Sequence, residues 1–188
     1  AADFLPHHQK IQNSDWKRKI VPTFRFDSLV HILQPGWMAE IKRLAANSNI
    51  EISNFRAFIQ ALEKRRKDFQ SFGATATDFS AESARVNELS NNQIEDIFQR
   101  GLQGKADRND ADQFVAHMLM EMARMSTEDG MVMQFHAGIV RNHNLSLYHQ
   151  FGADIGGDIP LTVEFTRSMQ PLLQRFGNNP NFKLIIFT

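Results

Sequence analysis

Short apolar runs alternate along the chain with longer segments whose apolar residues recur at helical spacing. This alternation constrains the fold more than any other feature. The apolar runs lie at residues 19–24, 74–78, 131–136 and 182–187. They are shorter than most helices and contain β-branched or aromatic residues, which favours buried strands. Strands separated by helices predict a parallel sheet whose strands are joined by right-handed crossovers.

Four such strands form either a small open sheet or about half of an eight-stranded barrel. The sequence ends on the apolar run 182–187, and a finished domain seldom stops on a buried strand without a covering helix. We therefore expect an α/β fold and, more specifically, a partial (β/α)8 TIM barrel. In this interpretation residues 1–188 form one partial barrel domain, the central part of a larger barrel.

The segments between the strands carry signals for helix boundaries. Ser53 and Ser90 are candidate N-caps, because a serine hydroxyl can accept a hydrogen bond from the free N–H groups of a first turn. Asp110 or Asp112 is a candidate start for a methionine-rich helix, whose methionines we expect to pack in the core. Pro160 fits the first turn of the last helix, where a missing N–H costs nothing.

Composition narrows the classes of function. The chain has 21 Lys and Arg against 21 Asp and Glu, so it lacks the basic excess that nucleic acids or anionic membranes usually require. The charge run 64–67 is therefore predicted to be a solvated helix face. There is no cysteine, which excludes disulfides and thiolate metal sites. No apolar stretch approaches the roughly 20 residues of a membrane span, and we expect a cytoplasmic protein with no membrane partner.

Polar residues follow the predicted strands, where the active sites of barrels lie. His136 ends the third strand and is either a metal ligand or proton carrier, or a core histidine bonded to backbone. Arg141, in the loop after it, and Arg25, after the first strand, could each bind a carboxylate through two parallel hydrogen bonds. The alternative for both arginines is a solvated salt bridge. Together His136 and Arg141 indicate a site for an anionic substrate.

Four further polar residues have both a functional and a structural interpretation. Asp27 could orient Arg25 or simply form a turn. Asp78 could support a neighbouring site residue or cap the next helix. Asn142 and Asn144 could donate hydrogen bonds to sugar hydroxyls, although polar turns commonly contain such residues. His31, His117 and His149 receive no chemical role from the sequence.

Several of these segments together resemble the uronate isomerases, which are sugar-acid isomerases of the amidohydrolase superfamily. The matching motifs occur in the family's order across nearly the whole chain. Each motif alone is weak, but their succession is fairly specific. The motifs are IVPTFRFD (20–27), FGATATD (72–78), MVMQFH (131–136), RNHN (141–144), FGAD (151–154), DIP (158–160) and KLIIFT (183–188).

The resemblance implies a barrel well over twice this length, of which the chain would contain strands three to six. It implies the interconversion of D-glucuronate with D-fructuronate and of D-galacturonate with D-tagaturonate. The family uses a divalent metal, zinc or manganese, held mainly by a His-x-His pair and an aspartate that this chain lacks. By resemblance His136 is the catalytic, metal-proximal residue and a candidate ligand. Arg25, Arg141, Asn142 and Asn144 would bind the uronate.

Two positions depart from the family pattern. The family commonly has proline at the position of Phe26 and histidine at the position of Phe79. The second change removes a polar group from the end of a strand. Two other functions stay open: a catalytically inactive half-barrel that serves as a structural or binding module, and a metal-dependent hydrolase of the same superfamily. Open sheet edges further predict a homo-oligomer or association through those edges.

Overall fold

A parallel sheet of four strands forms the centre of the structure, a computed structural model that describes residues 1–153 and 155–187. The strands are β1 (Phe24–Arg25), β2 (Ala76–Ala81), β3 (Val132–Ala137), β4 (Ile139–Val140), β5 (Ile159–Pro160) and β6 (Leu184–Phe187). The main sheet has the order β1-β2-β3-β6, and each neighbouring pair is parallel. Strands β4 and β5 form a separate antiparallel pair.

Helices precede and connect the strands of the main sheet. They are α1 (Pro6–Gln12), α2 (Asp27–Val30), α3 (Trp37–Ser48), α4 (Phe55–Ser71), α5 (Asn91–Leu102), α6 (Arg108–Asp129), α7 (Leu145–Phe151) and α8 (Gln170–Phe176). Helices α2 to α4 lie between β1 and β2, α5 and α6 between β2 and β3, and α7 and α8 between β3 and β6. The predicted α/β fold with a parallel sheet is therefore confirmed.

The helix starts agree with the sequence in part. Ser90 caps α5 as predicted, within a capping box. The cap of α4 is Asn54 and not Ser53, because the Asn54 side chain accepts the Ala57 N–H. Helix α6 starts earlier than predicted, with Asp107 as its cap; Asp110 is the third helical residue and completes a second capping box. Its methionines lie in the core, as expected.

The prediction for Pro160 is wrong. This residue lies in β5, opposite Ile139, and the last helix begins ten residues later at Gln170. A proline can occupy such an edge strand because its missing N–H need not face a partner. Pro171 is the proline in the first turn of α8. Pairing with a strand formed after β3 decided the conformation of Pro160, and local sequence gives no signal of that partner.

One face of the sheet is covered by the helices. The residues on this face alternate with less buried ones along each strand, as the two-residue period of a strand requires. Phe79 and Phe135 lie on the covered face with their rings stacked, and both are buried. Behind them the rings of Phe58, Phe98 and Phe114 contact one another between helices. These rings give the core a largely aromatic centre.

The prediction of a solvated charge run at 64–67 is wrong for its two arginines. Arg65 and Arg66 are buried, because the inner face of α4 packs against the remainder of the core. The Arg66 guanidinium donates to both carboxylate oxygens of Asp129, at 2.6 and 2.9 Å, and to the Ser126 hydroxyl at 3.1 Å. Asp129 also accepts the Met131 N–H at 3.0 Å, which joins this ion pair to the start of β3.

Candidate functional site

The face of the sheet opposite the helices carries a row of polar side chains. In the register of the strands Arg25 lies beside Asp78, and Ser80 lies beside His136. Partners in a register point to the same face, and Phe79, between Asp78 and Ser80, points to the covered one. The polar row therefore lies near the carboxyl ends of β1, β2 and β3, where parallel sheets bind ligands.

His136 is held in a defined orientation by Asp78. Its Nδ1 lies 2.8 Å from Asp78 Oδ1. An ionised carboxylate can only accept, so in the neutral imidazole Nδ1 carries the proton and Nε2 has the lone pair. The ring also stacks on Phe187, with centroids 4.1 Å apart and planes at 7°. With 36% of its side chain exposed, His136 combines a fixed ring with an accessible edge.

Arg25 is held by two carboxylates. Its Nε lies 3.0 Å from Asp27 Oδ2, and its Nη1 lies 3.7 Å from Asp78 Oδ2. Asp27 Oδ1 in turn accepts the Ser80 backbone N–H at 2.9 Å and its hydroxyl at 2.7 Å. The structure thus joins four predicted site residues in one network across three strands, and half of the Arg25 side chain stays exposed.

The other predicted site residues lie in the segment after β3. Arg141 Nη1 is 3.0 Å from Asp158 Oδ2, and the Asn142 backbone N–H donates to Asp158 Oδ1 at 3.1 Å. Asn142 has a φ of 55°, a left-handed conformation that asparagine tolerates better than most residues. Asn144 is the N-cap of α7, where its Oδ1 accepts the Leu147 N–H at 3.1 Å. Asp158 therefore fixes the positions of Arg141 and Asn142 at the start of this segment.

His31 is a candidate that sequence reasoning missed. It follows the one-turn helix α2, stacks on Phe79 at 5.9 Å, and lines a cavity of about 470 Å³ with Ser80, Arg141 and Asn142. Burial lowers the pKa of His31 below its ordinary value, against the opposing effects of Asp27 and the Ser80 backbone. It is therefore a neutral ring at pH 7. Its position shortly after β1 could have identified it as a candidate, because polar residues near strand ends were considered, but none of the matching motifs contains it.

The residues present can contribute to a metal site but do not complete one. Among residues 1–153 and 155–187, no three His, Asp or Glu side chains converge in a way that could hold a metal ion. His136 has the arrangement of a single ligand: Nε2 is available while Nδ1–H donates to a carboxylate, as metal-bound histidines commonly do. The chemistry of the donor set fits one ligand of a site completed by other residues.

The two departures from the expected family motifs contact each other. Phe26 and Phe79 are both buried, and their rings stack at 4.8 Å with planes at 19°. Phe79 lies on the covered face of the sheet, away from Asp78 and His136. The change to phenylalanine therefore adds to the core and leaves the polar row intact. Two residues of the matching motifs, Asp154 and Thr188, lie outside the described residues.

Comparison with known proteins relates the chain to one family. The sequence model of the glucuronate isomerase family matches residues 1–188. A uronate isomerase of Nostoc punctiforme is 46% identical over 187 residues, covering 100% of this chain and 39% of the relative. A uronate isomerase of Rhizorhabdus wittichii is 40% identical over 186 residues, covering 99% of this chain and 40% of the relative. The chain thus spans about two fifths of the length of these curated relatives.

Solved structures show the same fold. Glucuronate isomerase from Caulobacter crescentus superposes with a TM-score of 0.95 at 34% identity, covering 100% of this chain and 39% of that one. Uronate isomerase from Thermotoga maritima superposes with a TM-score of 0.90 at 24% identity, covering 98% of this chain and 42% of that one. The second likeness shows the fold alone. Because the family model matches every residue, the chain belongs to the glucuronate isomerase family.

Proposed function

We propose that residues 1–188 supply strands three to six of a (β/α)8 barrel and form the central part of that single larger domain. Three observations support this. The four strands are parallel and follow one another in chain order. The relatives are about two and a half times longer, since the chain covers 39% to 40% of them. On the face opposite the helices, Ile185 and Phe187 are 45% and 42% exposed, and closure of a barrel would cover them.

The function that this site supports best is uronate isomerisation, the interconversion of D-glucuronate with D-fructuronate and of D-galacturonate with D-tagaturonate. The reaction moves a proton between C1 and C2 of the sugar acid through an enediol. It requires a base, a group that stabilises the developing oxyanion, and an anchor for the carboxylate. The network of Arg25, Asp78 and His136 is the observation that carries the proposal, because it places a proton acceptor beside a fixed cation.

His136 is the proton carrier in this proposal. Its Nε2 lone pair is the acceptor, and Asp78 is a positioning residue that fixes the Nδ1–H tautomer. When Nε2 takes a proton, the Asp78 carboxylate stabilises the resulting imidazolium at 2.8 Å. Stacking on Phe187 limits rotation of the ring, so the acceptor keeps one direction.

Arg25 is the carboxylate anchor. Asp27 is a positioning residue, because it fixes the guanidinium and is itself fixed to β2 by the Ser80 N–H and hydroxyl. Arg141 adds a second cation, and Asn142 offers its side-chain amide to a sugar hydroxyl. The Asn144 oxygen caps α7, so its amide N–H groups are the donors for substrate.

The divalent metal, zinc or manganese, belongs to the complete barrel. When bound, it supplies Lewis-acid stabilisation of the sugar oxyanion. No complete group of ligands converges among the described residues. The single Nε2 lone pair of His136 cannot both bind the metal and accept a proton, so in this proposal His136 accepts the proton and the rest of the barrel holds the metal. The 188-residue chain alone is therefore proposed to be inactive. Its lack of cysteine suits a cytoplasmic location.

The test uses the full-length enzyme that carries these residues, with conversion of D-glucuronate followed by NMR. Asp78→Asn should lower kcat about 10- to 100-fold, the usual effect of removing a carboxylate behind a site histidine. Asp96→Asn, the same change at an exposed position of α5, should have no effect. Full activity of the Asp78→Asn enzyme would contradict the role of the network. Turnover by the 188-residue chain with added zinc or manganese would contradict its proposed inactivity.

A catalytically inactive half-barrel that serves as a binding module is the second candidate. The observation that favours it is the lack of a complete ligand group among the described residues. The sequence that flanks these residues in the native gene distinguishes the two candidates. A His-x-His motif upstream and a strand-ending aspartate downstream support the isomerase, whereas a gene without them supports the module. A hydrolase would release a hydrolysis product from its substrate, which isomerisation does not.

A further inference from the structure

The segment that follows β3 is a loop, residues 138–161, whose two ends are held together at a neck. The neck consists of β4 and β5, which are antiparallel and pair over two residues each. Just outside this pair the Leu161 N–H donates to the Gly138 carbonyl at 2.7 Å. A two-stranded antiparallel pair is only marginally stable by itself in water. The neck therefore depends on further contacts to keep one geometry.

The tip of the loop gives the neck little support. The tip contains α7, and none of the seven residues of this helix is buried. Leu145 and Phe151, at the two ends of the helix, are 64% and 61% exposed. A helix this short is unstable unless it packs against a partner. Within the described residues, the contacts that fix the loop are therefore those at its neck.

Asp158 supplies the strongest of these contacts. It lies one residue before β5, and its carboxylate reaches across the neck to the two residues that directly follow β4. Oδ2 lies 3.0 Å from Arg141 Nη1, and Oδ1 accepts the Asn142 N–H at 3.1 Å. Both are charge-assisted hydrogen bonds, which are stronger than neutral ones. The second bond also supports the left-handed backbone of Asn142, whose φ is 55°.

The two residues that Asp158 holds line the cavity of about 470 Å³ at the carboxyl end of β2. Asp158 itself is not among the described residues of that lining. Its influence on a molecule in the cavity therefore passes through Arg141 and Asn142. The contact between His136 and Asp78 joins neighbouring strands of the main sheet and involves no residue of the neck. Loss of Asp158 should thus affect substrate binding and leave the proton-transfer groups in place.

We propose that Asp158 is a positioning residue for the substrate, which closes the neck of loop 138–161 and so holds Arg141 and Asn142 in the wall of the cavity. This inference rests on the proposed isomerisation, because it takes Arg141 and Asn142 as residues that bind the uronate. It adds that a carboxylate outside the cavity sets the affinity for an anionic substrate.

The first test is steady-state kinetics of the full-length enzyme with D-glucuronate. Asp158→Asn removes the charge that holds Arg141 and should raise KM about tenfold or more, the factor that one charge-assisted contact is worth. Because the proton-transfer groups are untouched, kcat should stay within about threefold of the parent. Asp68→Asn is the matched control, since Asp68 is 36% exposed against 33% for Asp158 and pairs with Arg65 at 2.6 Å on α4. It should change neither constant.

Two further measurements separate positioning from a general loss of structure. Hydrogen exchange of the full-length enzyme, followed by mass spectrometry, should be faster over residues 139–142 in Asp158→Asn, while the exchange of β2 should be unchanged. In an enzyme that already carries Arg141→Gln, the additional change Asp158→Asn should raise KM by less than about threefold, because the main contact of Asp158 is already lost.

Four results would overturn the inference: a lower kcat at unchanged KM in Asp158→Asn, equal effects of Asp158→Asn and Asp68→Asn, fully additive effects of Asp158→Asn and Arg141→Gln, or unchanged exchange over residues 139–142. Failure of the proposed isomerisation is a different result, namely a parent enzyme that does not convert D-glucuronate. Hydrogen exchange would still decide in that case whether Asp158 closes the neck, since exchange does not depend on activity.

Discussion

The buried ion pair between Arg66 and Asp129 allows a quantitative prediction. The Arg66 side chain is 1% exposed, and its guanidinium lies over the Phe24 ring at 5.6 Å as well as on the Asp129 carboxylate. Asp129→Asn keeps the shape of the side chain and an oxygen for the Met131 N–H, but removes the negative charge. The Arg66 cation then stays buried without its counter-ion. Breaking such a pair costs about 3–5 kcal/mol in the free energy of unfolding.

The lower end of that range applies here. The Asp129 side chain is 19% exposed, so water can reach part of the vacated site. We expect a loss of about 3 kcal/mol, a large part of the roughly 5–15 kcal/mol that stabilises a typical domain. For a chain of this length each kcal/mol lowers the melting temperature by about 2–4 °C, so the fall should be about 6–12 °C.

Glu128→Gln is the matched control. It removes the same charge from the neighbouring residue of α6, where Glu128 is 58% exposed and pairs with Arg124 at 2.7 Å. Exposed pairs contribute about 0–1 kcal/mol, so this variant should melt within about 4 °C of the parent. The double variant Arg66→Met/Asp129→Asn removes both charges. It should be more stable than the sum of the two single losses predicts, because neither charge is left unpaired.

The assay is thermal unfolding followed by circular dichroism, at one protein concentration because association would shift the melting temperature. Equal melting temperatures for Asp129→Asn and Glu128→Gln would refute the reasoning. So would strict additivity of the Arg66→Met and Asp129→Asn losses, since additivity would mean that the two side chains do not interact.

Three further predictions concern a glycine, a histidine and the sheet edges. Gly138→Ala should lower the free energy of unfolding by about 1–3 kcal/mol, because φ is +87° and the new Cβ would collide with the Val163 side chain. The control Gly152→Ala has a similar φ of +85° but open space around the new Cβ, so it should lose only about 1 kcal/mol. Equal losses in denaturant titration would contradict the steric argument. Burial lowers the pKa of His117 below its ordinary 6.5, and its Nδ1 accepts the Leu89 N–H at 3.1 Å. The neutral ring therefore contributes its full share to the free energy of unfolding above about pH 6.5. That share decreases as the pH falls from there toward the pKa of the folded state. His117→Asn, which keeps an acceptor that does not titrate, should flatten this decrease between about pH 7 and pH 5, and an unchanged pH profile of the melting temperature would reject the role of His117. The chain alone should form oligomers or aggregates through its open edges, and a single monomer mass in light scattering would contradict this.

Much of the architecture could be predicted because the signals for it are local. The alternation of apolar runs and helical segments predicted a parallel sheet, and three of the four predicted strands have ends within three residues of the observed ones. The first strand was predicted over 19–24, but only Phe24 and Arg25 pair with β2, while Ile20 and Val21 are exposed. A strand requires a partner, and the length of the partner at that edge cannot be read from the run itself.

The sequence predicted which residues form the candidate site but not which hydrogen bonds join them. The motifs that resemble the uronate isomerases contain Arg25, Asp78 and His136, and each was already a candidate from its place at the end of a strand. The hydrogen bond from His136 to Asp78 joins residues on neighbouring strands, and it depends on the register that brings them to one face. His31 was missed because its part in the cavity comes from residues far away in the sequence.

The sequence by itself determined the order of the four main strands and of the helical segments between them, the Ser90 cap and the family, since these depend on residue types and on neighbours within a few positions. The tertiary structure decided which charges are buried, which proline pairs in a strand, and which polar groups meet. Arg66 and Pro160 were assigned wrongly for the same reason. Burial and pairing are properties of contacts between distant segments, and those contacts exist only once the chain has folded.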